Sequence, residues 1–189
     1  MSRSKFLTGF IIGGVTAGVA AAVGAFAFSQ SGLYNVGAAI PHTDVTEWLT
    51  QGTMIRSVRL HAKGVSAPER FTDAQVVAGF CQYETHCVTC HGAAGVANET
   101  WVNGMEPSPP YLLDAARKWT RPQLFWIVSN GIKMTGMPAW RRTLTDEEMW
   151  SIVAYLEATD RIAPATFSRW RSSGVCKPSP VTSRIRPAR

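Results

Sequence analysis

Three features of this 189-residue chain predict an all-α fold behind an N-terminal membrane helix. Thr72 with Gln75, Thr120 with Gln123 and Thr145 with Glu148 each have the spacing of a capping box, the signature of a helix start. No stretch shows the period-two alternation of a half-buried strand, and no internal repeat is visible. Phe6 to Phe28 runs without a charge and is rich in Ala, Gly, Val and Phe.

At about 1.5 Å rise per residue, that run is long enough to cross a hydrocarbon core about 30 Å thick. The apolar region of a cleaved export signal is shorter, about 7–15 residues. Ala25-Phe26-Ala27 offers an A-x-A-like cleavage site, but the length of the run favours an uncleaved anchor over residues 1–28. Arg3 and Lys5 precede it, so the positive-inside rule puts the N-terminus in the cytoplasm and everything after Phe28 outside.

Residues 29–70 read as a connector. Ser31 to Val36 suits an interfacial exit with Tyr34 at headgroup depth. Pro41-His42-Thr43-Asp44 marks a turn into a helix, with Trp48, Leu49, Met54, Ile55 and Val58 spaced as one apolar face. His42 and His61 are expected at the surface or in caps, and Ser66-Ala67-Pro68 closes the connector.

Residues 71–160 form the main domain, with three helices. The first spans Asp73 to His86, its core side being Val76, Val77, Phe80 and Tyr83. The second opens at Thr120 with Pro122 in its first turn, where a missing N–H does little harm, and stops at Gly131. The third spans Asp146 to Ala158 and buries Met149, Trp150, Ile152, Val153 and Leu156. Gly79 costs the first helix about 1 kcal/mol relative to Ala. A close crossing by the third helix, through Tyr155 or Leu156, would explain it.

Charge is unevenly placed. Arg70 to Asp160 holds seven Lys/Arg and ten Asp/Glu, whereas Arg161 to Arg189 holds seven basic residues and no acidic one. The formal charge of +6 therefore belongs to the C-terminal segment, and nucleic acid is excluded as the main partner. Residues 161–189 are expected to be a disordered basic tail that could lie on anionic headgroups.

Cys87-Val88-Thr89-Cys90-His91 carries the chemistry. Two thiols three positions apart, with histidine directly after the second, are the attachment signature of a c-type haem. Cys87 and Cys90 would form thioethers with the porphyrin vinyls, holding the ring where His91 can ligate iron. A redox dithiol would want a βαβ setting, and zinc a second ligand pair that Cys81 and Cys176 do not make. Cys81 reads as a small buried helix residue and Cys176 as a tail thiol, so no disulfide is predicted. Downstream, Gly131 to Trp140 supplies methionines on a loop for the second axial position.

The order G-x-x-x-Y-x-x-x-C-x-x-C-H from Gly79, Pro109-Pro110-Tyr111-Leu112, a second helix, G-x-x-M-x-G-M-P-A-W and an aromatic-rich last helix resembles a class I cytochrome c. It is similar in particular to membrane-anchored bacterial monohaem types, and the resemblance covers about Thr72 to Ala158. The resemblance implies a helical fold around one covalent haem c, with Cys87 and Cys90 on the vinyls. It implies His91 as proximal and Met137 as distal ligand, with Met134 the competitor and Met105 structural. Pro110 matches the proline whose carbonyl accepts the proximal imidazole N–H. Trp119, Trp126 and Trp140 are candidates to pack on the macrocycle.

A six-coordinate His/Met haem leaves no place for substrate, and no general base or nucleophile stands out, so an electron carrier is expected rather than an enzyme. The implied setting is the bacterial inner membrane, haem domain on the periplasmic side. Its partners would be redox proteins such as a dehydrogenase or terminal oxidase, with no small-molecule substrate. Lys133, Arg141 and Arg142 would steer an acidic partner. Free shuttle and fixed complex subunit are both open. The alternative is a haem sensor or small haem enzyme with an open iron.

Overall fold

The computed structural model describes residues 3–176. Its helices are α1 (Arg3–Gln30), α2 (Asp44–His61), α3 (Asp73–His86), α4 (Val88–His91), α5 (Ala115–Lys118), α6 (Arg121–Asn130), α7 (Asp146–Ala158) and α8 (Pro164–Ser172). Among the described residues the β content is one isolated bridge, Ala93 with Val96. The chain divides into two compact units at Ile40/Pro41.

The first unit is dominated by α1, whose stretch Leu7–Gln30 is long and apolar enough to cross a membrane. Its large side chains, Phe10 and Phe26 among them, are exposed.

The second unit is built on α3 crossing α7. The capping boxes expected at Thr72, Thr120 and Thr145 all form, and they start α3, α6 and α7 at the expected places. Gly79 is where α3 and α7 meet. A Cβ there would collide with the Ser151 carbonyl and come 2.9 Å from Tyr155 Cβ. Tyr155 is one of the two expected neighbours, and the Ser151 carbonyl is nearer still.

Around this crossing Phe80, Met149, Ile152 and Tyr155 are fully buried. Each contributes about 1.5–3 kcal/mol relative to an exposed side chain. Phe80 meets Tyr155 edge-on at 6.0 Å, and Phe125 stacks on Trp150 at 4.2 Å.

The connector helix α2 belongs to this unit and touches α6. Val58 and Ala62 are buried there, and His61 stacks on Trp126 at 5.7 Å. The expected single apolar face of α2 is split, however. Met54, Ile55 and Val58 turn inward, while Trp48 is 71% and Leu49 53% exposed. At 100° per residue Leu49 points well away from Val58, and the two residues sit in the N-terminal half of α2, ahead of the turns that are covered. Arg121 fastens the end of the connector. It donates to the Pro68 and Glu69 carbonyls at 2.7 and 2.6 Å, forms a bidentate pair with Glu157, and lies over the Phe71 ring.

The C-terminal segment corrects two expectations. Where a disordered tail was expected, α8 forms with Pro164 in its first turn and Phe167 fully buried. Phe167 and Trp170, three positions apart, pack edge-on against Phe80 at 5.2 and 5.3 Å. Arg171 pairs with Glu84 at 2.6 Å. Cys81 and Cys176, expected to be free, form a disulfide with Cα atoms 5.3 Å apart. The physical reason is the same for both. Once two aromatics seat α8 on α3, the turn after it brings Cys176 to Cys81. Residues 177–189, and the lipid contact expected of them, lie outside the described residues.

Candidate haem site

Tyr83 and Cys87 follow Gly79 at four-residue intervals, so one face of α3 runs from the helix crossing to the first thiol. Cys87 ends α3 by donating its N–H to the Tyr83 carbonyl at 2.8 Å, and α4 then winds a single turn through Cys90 to His91. The His91 N–H returns to the Cys87 carbonyl at 2.9 Å. Gly92 closes the turn at φ +60, a conformation that favours glycine. A Cβ on Gly92 would fall 2.6 Å from the Tyr111 ring, which packs on this turn. The buried Tyr83 hydroxyl donates to the Gly92 carbonyl at 2.6 Å. Burial raises the Tyr83 pKa far above its ordinary value, so that hydroxyl stays protonated as a donor.

His91 Nδ1 lies 2.7 Å from the Pro110 carbonyl, the contact expected of that pair. Carbonyl oxygen only accepts, so Nδ1 carries the proton and Nε2 keeps its lone pair. Burial lowers the His91 pKa, against the opposing pull of the Pro110 hydrogen bond, which favours a neutral imidazole. Cys87 and Cys90 are the free cysteines among the described residues, the other two being paired with each other. Burial, with Cys90 adding to it, pushes the Cys87 thiol up to about 12, unlike the depressed value of a redox-active dithiol.

The donor set therefore fits a covalently held haem. Two unpaired thiols at CxxC spacing precede an imidazole whose outer nitrogen is committed to a carbonyl. That arrangement holds the ring orientation of a metal-binding histidine and makes Nε2 a better donor.

The second methionine-bearing segment runs from Gly131 to Trp140. Gly131 caps α6 at φ +63, and a Cβ there would lie 2.6 Å from the carbonyls of Met137 and Pro138. Thr135 organises the loop by donating to the Ile132 carbonyl at 2.8 Å and accepting from the Met137 N–H at 3.1 Å. The two candidate methionines separate clearly. Met134 sits at φ +60 with its side chain 97% exposed, whereas Met137 is half-buried. Met105 also reaches this loop. Its terminal methyl occupies the space a Cβ on Gly136 would need.

The structure joins the two segments through rings that sequence reasoning did not connect. His86, directly before Cys87, lies 4.7 Å from Trp140, three residues after Met137. The conspicuous signals were the thiols and methionines, and a histidine preceding CxxCH has no spacing signature of its own. Of the other expected aromatics, Trp119 is half-buried against the core, and Trp126 stacks on His61. Lys133, Arg141 and Arg142 are exposed beside the loop.

An all-helical domain with two free thiols, an oriented imidazole and a half-buried methionine loop defines a covalent-haem protein class. Residues 74–156 match the family described as cytochrome c oxidase, cbb3-type, subunit III. This domain of the chain is a class I c-type cytochrome, an electron-transfer module. No curated protein matches the chain.

Proposed function

We propose that residues 71–160 bind one haem c through Cys87 and Cys90, with His91 and Met137 as its axial ligands. The domain would carry single electrons between membrane-bound redox proteins. One observation carries the ligation: the 2.7 Å contact of His91 Nδ1 with the Pro110 carbonyl, which leaves Nε2 as the lone-pair nitrogen beside two free thiols. The distal assignment is supported by the contrast between half-buried Met137 and solvent-facing Met134. A single CxxCH in the sequence supports a count of one haem. When bound, the group supplies reversible one-electron chemistry at its iron, and a thioether ligand raises the potential at which it works.

Residues 1–28 serve in this reading as an uncleaved anchor in the bacterial inner membrane, with the connector 29–70, the haem domain and residues 161–189 on the periplasmic side. A respiratory dehydrogenase or quinol-oxidising complex would be the donor and a terminal oxidase the acceptor. Subunit III of a cbb3-type oxidase, the description of the matched family, is a fixed subunit and favours that arrangement over a free shuttle. Lys133, Arg141 and Arg142 present positive charge beside the methionine loop, suited to an acidic partner surface in a transient contact.

Optical spectra of the purified oxidised and reduced protein test the ligation. A weak long-wavelength sulfur-to-iron band is expected in the unmutated protein and in Met134→Ala, and is lost in Met137→Ala. A high-spin or carbon-monoxide-binding ferrous form of the unmutated protein would sink the carrier reading and point to a sensor or enzyme.

A further inference from the structure

We propose that the outward face of α2 is a docking surface for an anionic lipid bilayer, holding the haem domain against the membrane from which it is tethered. This rests on the reading of α1 as a membrane anchor. The N-terminal half of the face is apolar: Val45 is 67% exposed, Trp48 71% and Leu49 53%. Its C-terminal continuation is basic. Arg56 and Arg59 follow at helical spacing, Lys63 comes in the next turn, and all three are exposed.

Val45, Leu49 and Arg56 lie on the side of α2 away from Val58, the residue buried toward the rest of its unit, and Trp48 and Arg59 flank that side. The only acidic residues of α2, Asp44 and Glu47, sit in its first turn, where they offset the helix dipole. Periodicity places Glu47 nearly opposite Val45 and Arg56.

Apolar side chains including Trp, joined to basic ones on the same helical face, are what the headgroup region of an anionic bilayer accepts. The apolar groups enter the acyl boundary, Trp sits at headgroup depth, and Arg and Lys stay with the phosphates while their stems cover apolar surface. Each basic residue contributes about 1 kcal/mol near such a surface. An acidic protein would satisfy the arginines but leave Trp48 and Leu49 to be covered by something apolar. The bilayer satisfies both.

The sequence favours the same occupant. Between Lys5 and Asp44 there is no Asp, Glu, Lys or Arg, so no charged residue separates the membrane-crossing stretch from α2. Residues 31–43 join α1 to α2 and reach at most about 45 Å when fully extended. A bilayer crossed by α1 is therefore always within reach of this face. Tethering makes even weak docking effective, because the encounter becomes intramolecular.

The test uses the full-length holoprotein in nanodiscs of phosphatidylcholine with phosphatidylglycerol. With Cys87 and Cys90 in thioethers and Cys81 bonded to Cys176, the variant Trp48→Cys has one free thiol to carry a nitroxide. Unchanged haem spectra check the fold, and Leu49→Cys replaces Trp48→Cys if it fails that check. Co-elution of haem with nanodiscs at high salt reads the anchor separately. The expected result is an oxygen-to-nickel accessibility ratio severalfold above that of a label at Glu147→Cys, an exposed position in the first turn of α7. It should fall toward that control when Arg56→Glu, Arg59→Glu and Lys63→Glu are added. A label as water-accessible as the control, in protein that still co-elutes, overturns the docking and leaves the anchor intact. Loss of co-elution overturns the anchor and the docking with it.

Discussion

The thiol-bearing turn and the methionine loop are held by different forces. The first is wired into the core. Tyr83 bonds Gly92 from a buried position, Tyr111 packs on the same glycine, and α3 beneath is clamped to α7 at Gly79 and to the turn after α8 by a disulfide. The second is shaped by backbone fit and one threonine, and its flanks are exposed at Lys133, Met134 and Pro138. The difference suggests a division of labour. The attachment side should survive large losses of global stability with its ligand in place, whereas the methionine side should lose its ligand after perturbations that barely affect folding.

The largest expected effect breaks the clamp on the attachment side. Replacing both Cys81 and Cys176 with Ala opens a link between residues 95 apart in sequence. Loop-closure entropy puts the cost at about 4–5 kcal/mol. Denaturant unfolding of the oxidised holoprotein should show this loss while the haem spectrum at low denaturant stays unchanged. A spectral change at full folding would contradict the division.

Next in size, Tyr83→Phe removes the buried donor to the Gly92 carbonyl and leaves that acceptor unpaired, at about 1–3 kcal/mol. Stability should fall and the sulfur-to-iron band should persist.

The methionine side should behave in the opposite way. Gly136→Ala places a methyl where the Met105 side chain ends, and Met105 is a flexible neighbour that can yield. The expected cost is only about 1–2 kcal/mol, yet the sulfur-to-iron band should weaken because the loop carrying Met137 is displaced. Met105→Ala in the same chain should restore the band. A double-mutant cycle read on both stability and spectrum separates that coupling from a general loosening. If Gly136→Ala leaves the band intact, the loop is stiffer than its exposure suggests.

Legibility in the sequence followed the reach of each interaction. Capping boxes at Thr72, Thr120 and Thr145 act within four residues, and each marked its helix correctly. Gly79 betrayed a helix crossing because glycine in mid-helix is costly without one. The His91–Pro110 contact was legible through resemblance, since nothing in spacing alone joins residues 19 apart. What stayed hidden needed three-dimensional placement. Phe167 and Trp170 are the aromatics that seat α8 amid serine and arginine, too weak a pattern to outvote the polar composition. The Cys81–Cys176 pairing depends on α8 being seated first. Met105 against Gly136 and His86 against Trp140 join segments whose approach no local pattern encodes.

The His86–Trp140 contact is the place where the two sides touch, and it carries the smallest effect. Burial lowers the His86 pKa from its ordinary 6.5, with Glu148 pulling the other way. A histidine with a depressed folded-state pKa binds fewer protons folded than unfolded between the two values. Stability should therefore be flat above about pH 6.5 and fall as pH drops below it toward the depressed value. His86→Phe keeps a ring against Trp140 and removes the proton, so its unfolding midpoint should lose this part of the acid slope relative to the unmutated protein. The methionine band should follow the same pattern. Protonating His86 loosens Trp140, three residues from Met137, so acid should weaken the band in the unmutated protein before it unfolds and leave it steady in His86→Phe. Equal acid sensitivity in both proteins would mean that the two sides of the site are not coupled through these rings.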